Sequence, residues 1–392
     1  MPSPWLRLTA IGASLAVLLA VVSGAAGLGA THDRLAALAL PPLTAIAIAA
    51  WFRYRRLLPA AVAALCLFGA AALVTAPGVH LALAAAAFAA TLVLTVLVHR
   101  SAGTPFGAWK DYVALTKPRI MVLLLLTGFC GLVAGAGGLP SWELTIATMT
   151  GLALACGGAS ALNHVLDRDI DRLMGERTRA RPVAADRITP DHALEFGLAL
   201  SALSFTILAG GVNVLTATLA LVGNLFYVLV YTGWLKRSTP QNIVIGGAAG
   251  AVPPLVGWAA ATGSLALPAL ALFLIVFLWT PPHFWALALL IKRDYAAAGI
   301  PMLPVVRGDR ETTRQIVVYS VVLVAFTVVP FAAGWFGALY LAAAVVLGAW
   351  FLWLAVRLRL ETTPGRASTL FHYSLLYLAL LFSAVALDPL VA

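Results

Sequence analysis

The sequence predicts an all-α polytopic membrane protein of about thirteen transmembrane helices, each needing roughly 20 apolar residues to cross the hydrocarbon core. Of its 392 residues 62% are hydrophobic and only 10% charged, with a mean hydropathy of +0.98. A soluble domain holds roughly 45–50% apolar and about 25% charged residues. The apolar residues also come in runs of spanning length, separated by Gly, Pro and charged breakers. Those runs predict spans at 8–28, 34–51, 57–76, 79–98, 117–137, 142–163, 190–210, 214–233, 242–262, 267–289, 313–334, 338–356 and 368–388. The first run, with its early Arg7, resembles a secretory signal in outline. A second apolar run follows almost at once with no clear cleavage site between them, so the first reads as a retained helix. Cys66, Cys130 and Cys156 all lie inside apolar runs without CxxC pairing, which argues against a disulfide framework or a zinc site.

The third observation is the distribution of positive charge. With the N-terminus in the cytoplasm, every Lys and Arg except Arg34 falls at a cytoplasmic end. Arg53, Arg55, Arg56, the stretch 168–187, Lys236, Arg237, Lys292, Arg293 and Arg357 all comply. The formal net charge of +10 therefore reports topology and not a nucleic-acid site. It predicts a multi-pass protein of the cell membrane, embedded in lipid, whose N-terminus and long loops are cytoplasmic. Two connections, 164–189 and 290–312, are long and polar beside short neighbours, and such loops tend to carry function. The segment around Gly103, Pro105, Gly107, Lys110 and Asp111 reads as a linker. It divides a four-helix N-terminal extension (1–99) from a nine-helix domain (117–392), with the linker itself over 100–116.

Asn163, Asp167 and Asp171, in NHVLDRDIDRLMGERTRARP, are spaced by four and so share one helix face, one turn apart. With Asp169 they put three acidic groups at the end of a membrane helix, where mutual repulsion and burial call for a cation. Carboxylate and amide oxygens suit Mg²⁺, which keeps waters and bridges to substrate phosphates. The plainer alternative is a solvated helix whose aspartates pair with Arg168 and Arg172. Directly downstream lie Arg177, Arg179 and Arg181; Lys292, Arg293 and Asp294 occupy the second long loop. Tyr231, Lys236 and Arg237 end another span, and Lys117 and Arg119 open one. Cationic groups gathered beside a metal-binding carboxylate face form a diphosphate clamp, although positive-inside topology alone would also put them there.

NxxxDxxxD followed by RTxxRP, with a second polar loop four helices later, resembles the UbiA superfamily of intramembrane prenyltransferases. LTKPRI at 115–120, YTGWLKRSTPQNIVIGGAAGAVPP at 231–254, WTPPHFWALAL at 279–289 and KRDYAAAGIPMLPVVRG at 292–308 narrow the resemblance to its haem O synthase branch. The second loop has Asp294 and then Ala298 in place of the superfamily's usual aspartate pair; haem O synthases similarly carry KxDY there. The resemblance implies farnesyl transfer from farnesyl diphosphate to a vinyl group of haem B, with water completing the new substituent, for terminal-oxidase haem synthesis. It implies Mg²⁺ held by Asn163, Asp167, Asp171 and Asp294, with Lys117, Arg181, Lys236 and Lys292 on the remaining diphosphate oxygens. Arg119, Arg179, Tyr231 and Arg237 complete the expected diphosphate set. A prenyltransferase for another acceptor, such as a quinone precursor, keeps the same clamp.

His283, within WTPPHFWALAL, has two readings: contact with haem iron or a propionate, or a hydrogen bond to a carbonyl freed by Pro281 and Pro282. His164 adjoins the metal face and is a second candidate for haem. In the N-terminal extension His32 and His80 fall at the outer ends of the second and fourth helices, where paired histidines of a four-helix bundle can ligate a haem. That segment weakly resembles half of a haem A synthase, which makes such an enzyme a candidate partner; histidines at the interface without a ligand are the plainer reading. A transporter would place polar binding groups near the bilayer midplane, where this sequence has almost none. A haem-binding protein without enzymatic activity would rest on His32 and His80 alone.

Overall fold

In the computed structural model the described residues are 4–25, 39, 42–48, 50, 57–73, 77–100 and 109–391. No strand occurs among them. The N-terminal helices are α1 (Pro4–Ala25), α2 (Leu58–Leu73) and α3 (Pro77–Arg100), with helical residues at 42–48 packed among them. Ser14 Oγ meets Thr95 Oγ1 at 2.9 Å, and Thr95 Oγ1 also donates to Ala10 O at 3.0 Å, stitching α1 to α3 with short hydroxyls. Ala10, Ala13, Ala61 and Ala64 are fully buried, so the helices approach closely. Half of the second expected span (34–51), His32 just before it and residues 101–108 of the 100–116 linker lie outside the described residues, while the end of that linker forms a short helix, Trp109–Leu115.

The nine candidate spans among the described residues are α4 (Pro118–Ala136), α5 (Trp142–Leu166), α7 (Pro190–Gly211), α8 (Val214–Ser238), α9 (Asn242–Thr262), α10 (Leu267–Leu290), a span Gly308–Ala332 that begins as α12 (Gly308–Phe326), α13 (Ala338–Leu360) and α14 (Pro364–Val391). Each of the two long loops holds two short helices, α6 (Arg168–Leu173) and Glu176–Arg179 in the first, α11 (Lys292–Ala297) and Leu303–Val306 in the second. The six spans from 117 to 289 match the expected ranges within a few residues. The last three run farther than expected, because the sequence reading stopped them at charges such as Asp309 and Arg357. Helices continue through the headgroup region, where charge is solvated, and Asp309 and Glu311 in the first turn of α12 complement its dipole.

Caps mark the spans: the Ser141 hydroxyl accepts from Leu144 N–H at 3.2 Å and Asn213 Oδ1 from Thr216 N–H at 2.8 Å. Helices α4 and α9 approach backbone to backbone. A Cβ on Gly131 or Gly257 would strike the opposing backbone at Pro254 or Gly128. This close approach surrounds Pro253 and Pro254 with protein, the setting in which prolines are tolerated within a membrane helix. The largest apolar core among the described residues lies among α4, α9, α10, α12, α13 and α14. The N-terminal helices meet the core through α7, with Ala202 against their cluster and Val22 against the cluster around Leu208.

Candidate active site

Helix α5 ends at Leu166, yet Asp167 N–H donates to Asn163 O at 2.9 Å and Asp171 N–H to Asp167 O at 2.7 Å. The helical register thus survives the junction into α6, and Asn163, Asp167 and Asp171 stay together with 2% or less exposure each. Their partners come from elsewhere in the chain. Lys117 Nζ donates to Asn163 Oδ1 at 2.8 Å, Lys236 Nζ to Asp167 Oδ2 at 2.5 Å and Arg181 to Asp171 Oδ1 at 2.6 Å. Asn163 Nδ2 donates to Asp167 Oδ2 at 2.7 Å and to Thr232 Oγ1 at 3.1 Å. The solvated-helix alternative fails on geometry, because Arg168 and Arg172 both turn to Asp186 at 2.6 and 2.5 Å.

Local backbone irregularity aims these groups. Lys117 is left-handed (φ 49°, ψ 59°), a conformation that costs a non-glycine residue about 1–3 kcal/mol and that directs its side chain onto Asn163. In α8, residues Phe226–Leu235 form a π-helix, and Thr232 Oγ1 donates to Tyr227 O at 2.9 Å. Such wide turns cluster at functional sites; this one sets Thr232 and Lys236 on the ladder. Tyr231 stacks on Tyr227 with ring centroids 5.5 Å apart, and Gly246 leaves the room its ring fills. Neither the π-helix nor Thr232 was apparent from periodicity.

Burial, together with the charge of nearby Arg181, brings the Lys117 ammonium down to about 7, against the opposing pull of Asp167 and Asp171. Burial raises the Asp171 carboxyl, with Arg181 opposing. Asp169 lies outside the cluster: Arg237 grips it at 2.7 Å through both oxygens on an exposed face and holds its carboxyl low.

The second loop reaches the first. A Cβ on Gly175 would lie 2.6 Å from Asp294 Oδ2, so this glycine makes room for that carboxylate just beyond the ladder. Tyr295 packs into the cluster containing Ile170 and Met174, where burial pushes its phenol up to about 12. Other expected clamp residues do not converge. Lys292 bonds Asp309 at 2.8 Å on the surface, Arg119 and Arg179 are exposed, and Arg237 is taken by Asp169.

Among the described residues no three His, Cys, Asp or Glu side chains gather as a metal cage. Two buried oxygens, Asp167 Oδ1 and Asp171 Oδ2, nevertheless lack any hydrogen-bond partner. Buried carboxylate oxygens are rarely left so, and one or two carboxylates completed by water and phosphate are the usual shell of Mg²⁺. The residues present therefore fit that ion.

His164 is 2% exposed, with neither ring nitrogen hydrogen-bonded. His283 lies between the Trp279 and Phe371 rings at centroid distances of 4.3 and 4.8 Å. Its Nδ1 is 2.6 Å from Ser374 Oγ, which donates its only proton to Phe371 O at 2.6 Å. Nδ1 is therefore the donor, and in the neutral ring Nε2 keeps its lone pair. The alternative of a carbonyl freed by the prolines is not what His283 meets. His80 donates from Nδ1 to Ala71 O at 2.7 Å, linking α2 and α3.

This bundle of membrane helices carries a buried carboxylate ladder ringed by cations, an arrangement suited to holding a diphosphate. The UbiA prenyltransferase family model matches residues 124–381, and the chain belongs to that family. The protoheme IX farnesyltransferase of Symbiobacterium thermophilum is 57% identical over 281 residues, which cover 71% of this chain and 94% of that protein. The protoheme IX farnesyltransferase of Chloroflexus aurantiacus is 46% identical over 374 residues, 91% of this chain and 62% of the relative. At 91% of this chain, the Chloroflexus match extends beyond the nine-helix domain into the N-terminal helices. Two solved structures share the fold at 18% identity: a digeranylgeranylglyceryl phosphate synthase (TM-score 0.61, covering 72% of this chain and 99% of that one) and a UbiA homolog from Archaeoglobus fulgidus bound to GPP and Mg²⁺ (TM-score 0.55, covering 70% and 99%).

Proposed function

We propose that this protein transfers a farnesyl group from farnesyl diphosphate to a vinyl group of haem B, giving haem O and diphosphate. The observation that carries this reading is the ladder of Asn163, Asp167 and Asp171, buried with two unpaired oxygens and ringed by Lys117, Arg181 and Lys236. Bound Mg²⁺, held by Asn163, Asp167 and Asp171 with Asp294 beside them, would neutralise the diphosphate as it leaves. Lys117, Arg181 and Lys236 donate to diphosphate oxygens and stabilise the charge that grows there. The C1–O bond of the farnesyl diphosphate breaks with its electron pair remaining on the diphosphate. The vinyl π electrons then form the new carbon–carbon bond to C1. Water adds to the cation left on the former vinyl carbon and releases a proton, leaving the hydroxyl. The vinyl nucleophile needs no deprotonation, so no base is required of the chain in the bond-forming step. The packed helices exclude the water that would quench the allylic cation early.

We assign His164 and the Nε2 of His283 to the haem, because both residues are buried and keep ring-nitrogen hydrogen-bonding capacity to spare. The test is conversion of haem B with farnesyl diphosphate by the purified full chain, with and without Mg²⁺. Haem O forming only with the metal is expected; absence of any farnesylated haem overturns the reading.

Three further parts belong to this proposal. The nine-helix domain holds the whole site, consistent with a Symbiobacterium relative matched over 94% of its length by 71% of this chain. A chain starting near Arg100 is therefore expected to insert and make haem O. The ladder faces the cytoplasm: Glu176→Cys and Ala297→Cys are expected to label with an impermeant thiol reagent only after lysis, and Ser264→Cys in intact cells. The reverse pattern overturns that orientation. A haem A synthase is the proposed partner that consumes haem O, and its co-purification with this chain tests the pairing.

A further inference from the structure

On the same side of the membrane as the ladder, but on α12 and α13, an open cavity of about 500 Å³ is lined by Arg307, Arg310, Glu311, Arg314 and Arg359. Positions 307, 310, 311 and 314 are three and four apart and so share one face at the start of α12. Arg359 enters from the last turn of α13. The lining carries four guanidinium groups against one carboxylate, and the ion pair inside it, Arg314 with Glu311, is long at 3.4 Å. Among the described residues no carboxylate pairs with Arg307, Arg310 or Arg359.

Positive-inside topology requires basic residues on this side, but not the convergence of four guanidinium groups on a single carboxylate. Arg168, Arg172 and Arg237 lie on the same side, and each has an aspartate within 2.7 Å. The depth of the cavity is set by α13. Trp350 and Trp353 are 51% and 43% exposed about two to three turns from its end, with Arg357 over the Trp353 ring at 4.8 Å. Exposed tryptophans at a helix end mark the headgroup level. Val356 and Leu360, next to Arg359, present bare apolar surface.

We propose that this cavity binds the phosphate headgroup of an anionic phospholipid, with its acyl chains lying on the exposed apolar residues of α13. Guanidinium forks match phosphate oxygens in pairs, and basic pockets between membrane helices on this side suit such headgroups. A free anion would use the arginines but not the adjoining apolar surface.

The test is native mass spectrometry of the full chain, purified in neutral detergent and titrated with phosphatidylglycerol, with phosphatidylcholine and with inorganic phosphate. Phosphatidylglycerol is expected to be retained in preference to phosphatidylcholine. The triple variant R307Q/R310Q/R314Q is expected to lose about 100-fold in affinity for phosphatidylglycerol, while R168Q/R172Q/R187Q, which removes the same charge from arginines paired with Asp186 and Asp111, keeps it. Arg359→Gln alone is expected to lose several-fold, and it serves if the triple variant fails to fold. Equal retention of the two lipids, or equal loss in both triple variants, overturns the proposal. Competition by phosphate at the same concentrations as phosphatidylglycerol overturns the lipid assignment and leaves a free-anion site.

Discussion

The two long polar loops follow spans that end on the same side of the membrane, and both begin with a mixture of acidic and basic residues. The fold treats them oppositely. After α5 the carboxylates of Asp167 and Asp171 are buried, and the cations that meet them are largely shielded from water, the Lys236 side chain being 11% exposed. After α10, Lys292 and Asp309 pair at 39% and 48% exposure. Unit charges at contact distance attract several times more strongly near protein than in bulk water, whereas an exposed pair is worth about 0–1 kcal/mol. The first loop can therefore concentrate charge for chemistry. The second serves mainly to bring Asp294 and Tyr295 against the first.

The largest effect that follows from this contrast is on the ladder. Asp167→Asn or Asp171→Asn removes a buried charge while preserving size, and is expected to lower the rate of haem O formation by on the order of 10²–10³. Steady-state turnover at saturating substrate, alongside a melting curve to confirm folding, measures it. Near-normal turnover in both variants would break the contrast.

A smaller effect is expected where the loops touch. Gly175→Ala drives a methyl group into Asp294, so the carboxylate must swing away from the ladder. A drop of about 10- to 100-fold in Mg²⁺ affinity is expected, with turnover recovering at high Mg²⁺. A Mg²⁺ titration of activity tests this, and an unchanged midpoint removes Asp294 from the site.

The smallest effect is expected at Lys292. Lys292→Gln breaks an exposed pair and is expected to leave turnover within about twofold, in line with the modest energy of such pairs. A large loss would mean that the second loop closes over substrate and carries Lys292 inward, making the two loops equal partners in the clamp.

Much of this was legible in the sequence. Bilayer thickness dictates runs of about 20 apolar residues, so spans such as 242–262 are readable to the residue. The four-residue spacing of Asn163, Asp167 and Asp171 identifies a shared face without any knowledge of the fold, because i and i+4 neighbours are set by the helix itself. Both are local properties of the chain.

Which cations meet that face was decided by the tertiary structure. Lys236 and Arg237 are adjacent in sequence, yet one reaches Asp167 and the other Asp169. Lys117 bonds Asn163 while Arg119, two residues on, is exposed. Successive residues on a helix point about 100° apart, so a cluster of basic residues at a helix end always sends some of its members away from the site. The left-handed Lys117 and the π-helix of α8 choose among them. The ladder was written in one segment. Its partners come from α8, the turn before α4 and the loop carrying Arg181, and only packing among separate elements brings such distant residues within hydrogen-bond reach.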